Sequence, residues 1–164
     1  MLTITGATNI LKQIVGLDGG QQPKTAYLGL LTEKPNISGE DLKEVPIHNE
    51  EKYIFTNYKR VLIGRSGNNT TPYTVFSTVK REETEPGVYN NTLYIINETE
   101  VHFNEVPEGH LWGTITHFAI FPSETATTAT YVGKLKEPIT PLGNTVPLAR
   151  KGAIYIALAP AEEL

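Results

Sequence analysis

The most informative pattern of hydrophobic positions along this chain is the β-branched and aromatic run Trp112-Gly113-Thr114-Ile115-Thr116-His117-Phe118-Ala119-Ile120-Phe121. Trp112, Thr114, Thr116, Phe118 and Ile120 fall on one side, and Gly113, Ile115, His117, Ala119 and Phe121 on the other. β-Branched and aromatic residues uninterrupted by Pro, Asp, Asn or Lys favour a pleated strand over a helix. Both sides are largely apolar or Thr-bearing, which predicts a strand in the middle of a sandwich or at an intersubunit contact. Ala26 to Thr32 reads as the first core strand. Tyr53 to Ile63 is strand-like, with Tyr58, Arg60 and Leu62 alternating against Lys59, Val61 and Ile63. Pro72 to Lys80 and Val88 to Ile96 form a strand pair joined by a charged connection containing Pro86-Gly87. Val101 and Phe103 face inward and His102 and Asn104 outward, and Ala129 to Leu135, Thr145 to Leu148 and Ala153 to Ala159 supply closing strands.

Helical spacing shows once. Ile10, Leu11, Ile14 and Val15 share one helical face, with Thr8 or Asn9 as the N-cap and Gly16 as the stop, followed by an Asp18-Gly19-Gly20 turn. Glu33 to Glu51, with Pro35, Gly39 and Pro46, reads as loop. Gly64 to Asn69 and Pro107-Glu108-Gly109 read as turns. Short strands at roughly 8–12-residue spacing predict a sandwich or barrel. The expected fold is therefore all-β: a compact antiparallel β-sandwich with a short N-terminal helix, one domain over 1–164, in which 1–20 is the helix and its turn.

Composition narrows the function. The net charge of −4, with no block of Lys or Arg, argues against a nucleic-acid partner, which needs a basic stripe. No apolar run approaches the roughly 20 residues needed to cross a bilayer, so no membrane partner is expected. Met1 to Gly20 lacks a basic start and its apolar run is broken by Asn9, Lys12 and Gln13, so a secretory signal is not expected. The absence of cysteine removes disulfides, thiolate metal sites and cysteine nucleophiles. Asn-x-Ser/Thr triplets at Asn36, Asn68, Asn69, Asn90 and Asn97 are what so Asn- and Thr-rich a chain gives by chance.

Candidate chemistry is sparse. His48, His102, His110 and His117 form no zinc-binding spacing, and no metal or cofactor is expected. His117, inside the apolar strand, reads as a buried, hydrogen-bonded core histidine. Asp18 and Asp41 are the only aspartates, which leaves an Asp-dependent triad little to draw on. Gly64-Arg65-Ser66-Gly67 is similar to a nucleophile elbow but lacks its spacing and the following helix, so it reads as a hairpin turn. Glu82, Glu83 and Glu85 read as a solvated charge run, although two carboxylates suffice for glycan cleavage. Tyr53, Tyr58, Tyr73, Tyr89 and Tyr94 gather in the middle third. Tyrosine suits interfaces and glycan-binding surfaces, and it equally populates ordinary strands.

Read end to end, the chain resembles the small tailed-bacteriophage virion proteins labelled tail fibre or Gp80-like. The likeness runs through the short helix from Asn9 to Gly16, Tyr27-Leu28-Gly29-Leu30-Leu31-Thr32 with its acidic Pro-bearing loop, and Tyr58-Lys59-Arg60-Val61. It is strongest in Val101-His102-Phe103 followed by Trp112 to Phe121. Leu135, Pro138, Gly143-Asn144-Thr145 and Gly152-Ala153-Ile154-Tyr155-Ile156 close it. No catalytic residue belongs to the pattern. The departure is Arg65 to Thr92, longer and more polar than the equivalent connection.

The resemblance implies a non-enzymatic structural component of the virion, assembled in the host cytoplasm, tail- or fibre-associated and acting by multivalent attachment. A capsid-decorating protein is the alternative position. Different-class alternatives are a carbohydrate-binding module, with the tyrosines and Trp112 stacking on a host-surface glycan, and a small glycan-cleaving enzyme. The expected partners are other virion proteins and further copies of the chain. The homo-oligomer expectation rests on strands Tyr89 to Ile96 and Trp112 to Phe121, where few Lys residues would guard an open edge. Residues 65–92 read as a projecting insertion whose aromatic residues Tyr73, Phe76 and Tyr89 meet the partner.

Overall fold

A computed structural model describes residues 3–17, 24–46, 48–49, 54–67 and 71–158. In chain order the elements are α1 (Ile4–Ile14), β1 (Thr25–Leu31), β2 (His48–Asn49), β3 (Ile54–Phe55), β4 (Val61–Arg65), β5 (Tyr73–Thr74), β6 (Lys80–Glu85), β7 (Val88–Ile96), β8 (Val101–His102), β9 (Ile115–Phe121), β10 (Tyr131–Ile139), β11 (Leu148–Ala149) and β12 (Tyr155–Leu158). A five-stranded sheet runs β10-β9-β1-β4-β5 and a three-stranded sheet runs β12-β7-β6. The pairs β11-β8 and β2-β3 complete the set. Every strand pairing is antiparallel.

The main core lies between the two larger sheets. Leu28, Leu30, Ile63, Phe118 and Ile120 from the five-stranded sheet meet Leu93, Ile95 and Ile156 from the three-stranded sheet, with Ala7, Leu11 and Val15 from the helix side. This is the expected β-sandwich. The central position of β9 follows from its two apolar faces, because its reverse side is also covered. Ala119 and Phe121 join Leu31 in a second, smaller core closed by Leu42, Ala126, Ala129 and Val132. The loops on either side of Leu42 and Ala126 thus serve as a partial third layer over β1 and β9.

The helix starts earlier than the apolar spacing predicts. Thr3, rather than Thr8 or Asn9, is the N-cap, its hydroxyl accepting the Gly6 N–H at 3.0 Å. Ile4-Thr5-Gly6 is poor helix-forming sequence, and the cap together with burial of Ala7 overrides that weak propensity. The C-terminal end is as expected. Gly16 takes φ +77°, its N–H bonds to Gln13 O (3.1 Å) and the Leu17 N–H to Lys12 O (2.8 Å), the paired closing bonds of a Schellman motif. The Asp18-Gly19-Gly20 turn and Ala159 lie outside the described residues.

Three other expectations need correction. Tyr53 to Ile63 is not one strand: β3 ends at Phe55, Asn57 sits at φ +61°, and pairing resumes at Val61. Gly64 and Arg65, read as turn, pair with Thr74 and Tyr73 inside the sheet. Pro72 to Lys80 is not the partner of Val88 to Ile96: before Lys80 only Tyr73–Thr74 is strand, and it pairs with β4. The charged connection after Lys80 is itself strand, β6 running from Lys80 to Glu85 and hydrogen-bonded to β7 with the turn at Pro86-Gly87. Burial cannot reveal such a strand, because nearly all of it faces solvent and no apolar alternation marks it.

The open-edge argument also changes. Both strands named for it, β7 and β9, are central and paired on both sides. The outermost strands of the two larger sheets are guarded by other means. β5 is two residues long and follows Pro72. β6 is charged at every position but Thr84 and slips register between Arg81 and Glu83 and between Glu83 and Glu85. β10 carries Lys134, Lys136 and Pro138 with a slip beyond Lys134. β12 is flanked by β10, with the Lys136 N–H bonded to Ala153 O just before β12 begins. Short length, charge, proline and bulges are the usual means of blocking strand addition.

Candidate attachment surfaces

The three aromatic residues expected to meet a partner do not form one patch. Tyr73 stands on β5 at the rim of the five-stranded sheet, 43 % exposed, and Tyr89 near the start of β7, 50 % exposed. Phe76 is 4 % exposed and belongs to the main core, where its backbone bridges to Asn97. A ring so buried packs the fold rather than touching a partner, which corrects the surface role read for it. Residues 65–92 accordingly divide: Val75, Phe76, Ser77 and Thr92 are buried, whereas Glu83 through Tyr89 are all exposed.

That exposed hairpin end is ordered by its own acidic residues. Glu83 Oε1 accepts the Gly87 N–H at 2.7 Å, closing the turn, and Glu82 accepts from the Asn90 side chain. Thr84 Oγ1 donates to Val88 O at 3.3 Å. Glu82 and Glu83 therefore shape the hairpin, and Val88 and Tyr89 are left facing solvent beside Glu83 and Glu85.

Trp112 offers no stacking face. It is 4 % exposed, donates its indole N–H to Thr56 O at 2.8 Å, and meets Tyr58 edge to face with centroids 5.3 Å apart. Tyr58 is also buried. Of the other tyrosines, Tyr94 stacks on Tyr155 at 5.2 Å, both half-buried. Tyr53 lies outside the described residues.

A cleft of about 810 Å³ opens between the loop bearing Glu44 and the loop bearing Ala126. Arg60 organises it. Its Nε and one terminal nitrogen each lie 2.9 Å from Glu44 carboxylate oxygens, and the other donates to Ser123 O (3.1 Å) and Ala126 O (2.8 Å). Tyr58 donates to Glu44 Oε1 at 2.6 Å and accepts the Leu30 N–H at 2.9 Å. Burial above all, then the charge of Glu44, pushes the Tyr58 phenol well above its usual pKa. Glu44 was not legible as a partner in the sequence, since it sits in a polar loop far along the chain from Arg60. The Tyr58-x-Arg60 pair was visible, and this clamp is its physical role. With the Arg60 donors engaged and the Tyr58 and Phe121 rings buried, the cleft pins the covering loops and presents no ring to a sugar.

Among the described residues the histidines assemble no site. His117 is half-buried rather than in the core, its Nδ1 2.7 Å from Thr116 Oγ1; burial, with Lys134 and Lys34 nearby, holds its imidazole below the usual pKa. His102 lies 3.3 Å from Glu100, both exposed. Among the described residues no three His, Asp or Glu side chains are grouped to hold a metal ion. Ser66 is tied to the Lys24 backbone and carries no nucleophilic arrangement. The Asn97 amide, 0 % exposed, donates to Thr99 O and Arg150 O while accepting the Ile154 N–H, so the asparagine of that triplet is a buried staple. No helix of the described residues is long and apolar enough to cross a membrane.

The sequence model of a family described as podophage GP4 fiber I protein gp80 matches residues 2–157. The chain belongs to that family. Membership in the gp80 fibre family makes it a fibre-type component of a phage virion, in agreement with the resemblance seen in the sequence and with the all-β architecture. A comparison with curated proteins found no match.

Proposed function

We propose that this gp80-family protein is a non-enzymatic structural subunit, tail- or fibre-associated and present in several copies, that holds to its neighbours through side chains rather than through added strands. The observation that carries this reading is the contrast between guarded sheet margins and a solvent-facing hairpin end with Val88 and Tyr89 exposed. Repetition on a symmetric particle turns a weak contact per copy into firm attachment. The use of Glu82 and Glu83 in shaping the hairpin supports a structural rather than a hydrolytic role for the acidic run.

The test is to shorten Glu82–Gly87 and follow folding and particle incorporation separately. Retained circular dichroism and melting with lost incorporation is the expected result. A shortened chain that folds and still incorporates overturns the assignment of the hairpin. One that fails to fold shows that the segment is scaffold, and the exposed-surface change Tyr89→Ser then decides whether this face takes part in incorporation.

A further inference from the structure

A second apolar groove, of about 520 Å³, runs between α1 and the β6 side of the three-stranded sheet. Its accessible apolar rim is Ile4, Leu17 and Val79, over a floor of core side chains that includes Phe76, Leu93 and Ile95. The charged side chains along it are Lys12, Lys80 and Arg81, all cationic. Ile4, on the first turn of α1, lines the groove and is 59 % exposed. Lys80 approaches Glu98 only at 3.9 Å in solvent, a contact worth little, and Arg81 is exposed.

The same chain carries a surface of opposite character. At the hairpin end Val88 is 51 % and Tyr89 50 % exposed, and the neighbouring carboxylates are Glu83 and Glu85. One surface is thus an apolar trough edged by positive charge, and the other a hairpin ridge with Val88 on one flank and Tyr89 on the opposite one, edged by negative charge. Resting on the reading of the hairpin as the contact element, we infer that the groove receives the hairpin end of a second copy of this chain. Val88 and Tyr89 enter the trough, and Glu83 and Glu85 lie toward Lys12, Lys80 and Arg81. Tyrosine at such a site contributes large rigid contact area, and complementary charge sets orientation. Donor and acceptor are different surfaces, so each copy can offer one of each to its neighbours, as a ring or a repeating row requires.

Self-association of the full chain is measured by sedimentation at rising concentration, with three variants: Val88→Ser with Tyr89→Ser at the ridge, Ile4→Glu at the trough, and Lys12→Glu as a milder trough change on an exposed helix position. The parent is expected to associate, and the ridge and Ile4→Glu variants to weaken association at least tenfold each. The decisive measurement is an equimolar mixture of ridge and trough variants, which retains one intact ridge and one intact trough and recovers a two-copy species. A parent that stays monomeric, variants that associate like the parent, or a mixture without recovery each overturn the inference. If Ile4→Glu unfolds the helix, Lys12→Glu takes its place in the mixture. Particle incorporation is scored in parallel. Loss of incorporation by the ridge variant with undiminished self-association refutes the self-docking while leaving the attachment reading in force. The reverse result refutes attachment through the hairpin and supports self-docking.

Discussion

The guanidinium carbon of Arg60 sits 3.3 Å above the centroid of the Phe121 ring. The same group is bonded to Glu44 and to the carbonyls of Ser123 and Ala126, so one side chain fastens two loops over the end of β9. Its planar fork and its stacking have no equivalent in lysine.

Arg60→Ala is expected to cost about 3–5 kcal/mol, because Glu44 is left mostly buried without its countercharge. Replacing both partners, Arg60→Met with Glu44→Leu, is expected to recover a large part of that loss, since a paired charge is then exchanged for packing. Denaturant midpoints of the two proteins decide it. A double variant no more stable than the single one counts against the clamp.

Tyr58 couples the core to alkaline pH. Burial first, then Glu44, raises its pKa well above 10.0, whereas in the unfolded chain it ionises near that value. Its neutral form is favoured in the fold, so this contribution is complete below about pH 10 and falls by about 1.4 kcal/mol per pH unit from there up to the folded pKa. Tyr58→Phe is expected to cost about 1–3 kcal/mol at neutral pH, when the Leu30 N–H and Glu44 lose their partner, and to flatten the alkaline decline. An equally steep decline in parent and variant refutes it.

Phe118 packs at 0 % exposure and stacks with Tyr131 at 6.0 Å. Phe118→Ala is expected to cost about 3–5 kcal/mol and to lower the melting temperature accordingly. Unchanged melting means that β9 is not central to stability.

Gly29 lies where β1 passes beneath the clamp. A Cβ there would come within 2.7 Å of Glu44 Oε1 and 2.8 Å of Phe121 Cε2. Gly29→Ala is expected to destabilise by about 1–3 kcal/mol, as overpacking does. In an Arg60→Ala background, with Glu44 already released, the added cost is expected to shrink, and a double-mutant cycle measures the difference.

What was legible in the sequence is what depends on local alternation. β1, β8 and β9 were readable because one or both of their faces are buried, and Gly16 because a helix stop has its own residue signature. The start at Thr3 was hidden by the weak helix formers after it, and the break at Asn57 by apolar neighbours on both sides. Glu82 to Glu85 hid for the opposite reason, since a strand with solvent around it leaves no pattern. The Glu44 clamp joins loops far apart in the chain, and no spacing rule reaches that far. Phe76 shows that an aromatic residue in a polar stretch is as ready to anchor the fold as to leave it.

The closed sheet margins bear on how these subunits behave before they are built into anything. Crowded copies of a protein with free margins exchange backbone pairing and lock into whatever register they first find. Here, along the larger sheets, a collision between copies leaves only side chains to test one another, so a mismatched encounter can separate and be tried again. On the proposed attachment through side chains, errors made while copies are abundant stay reversible and the partner is selected by shape and charge.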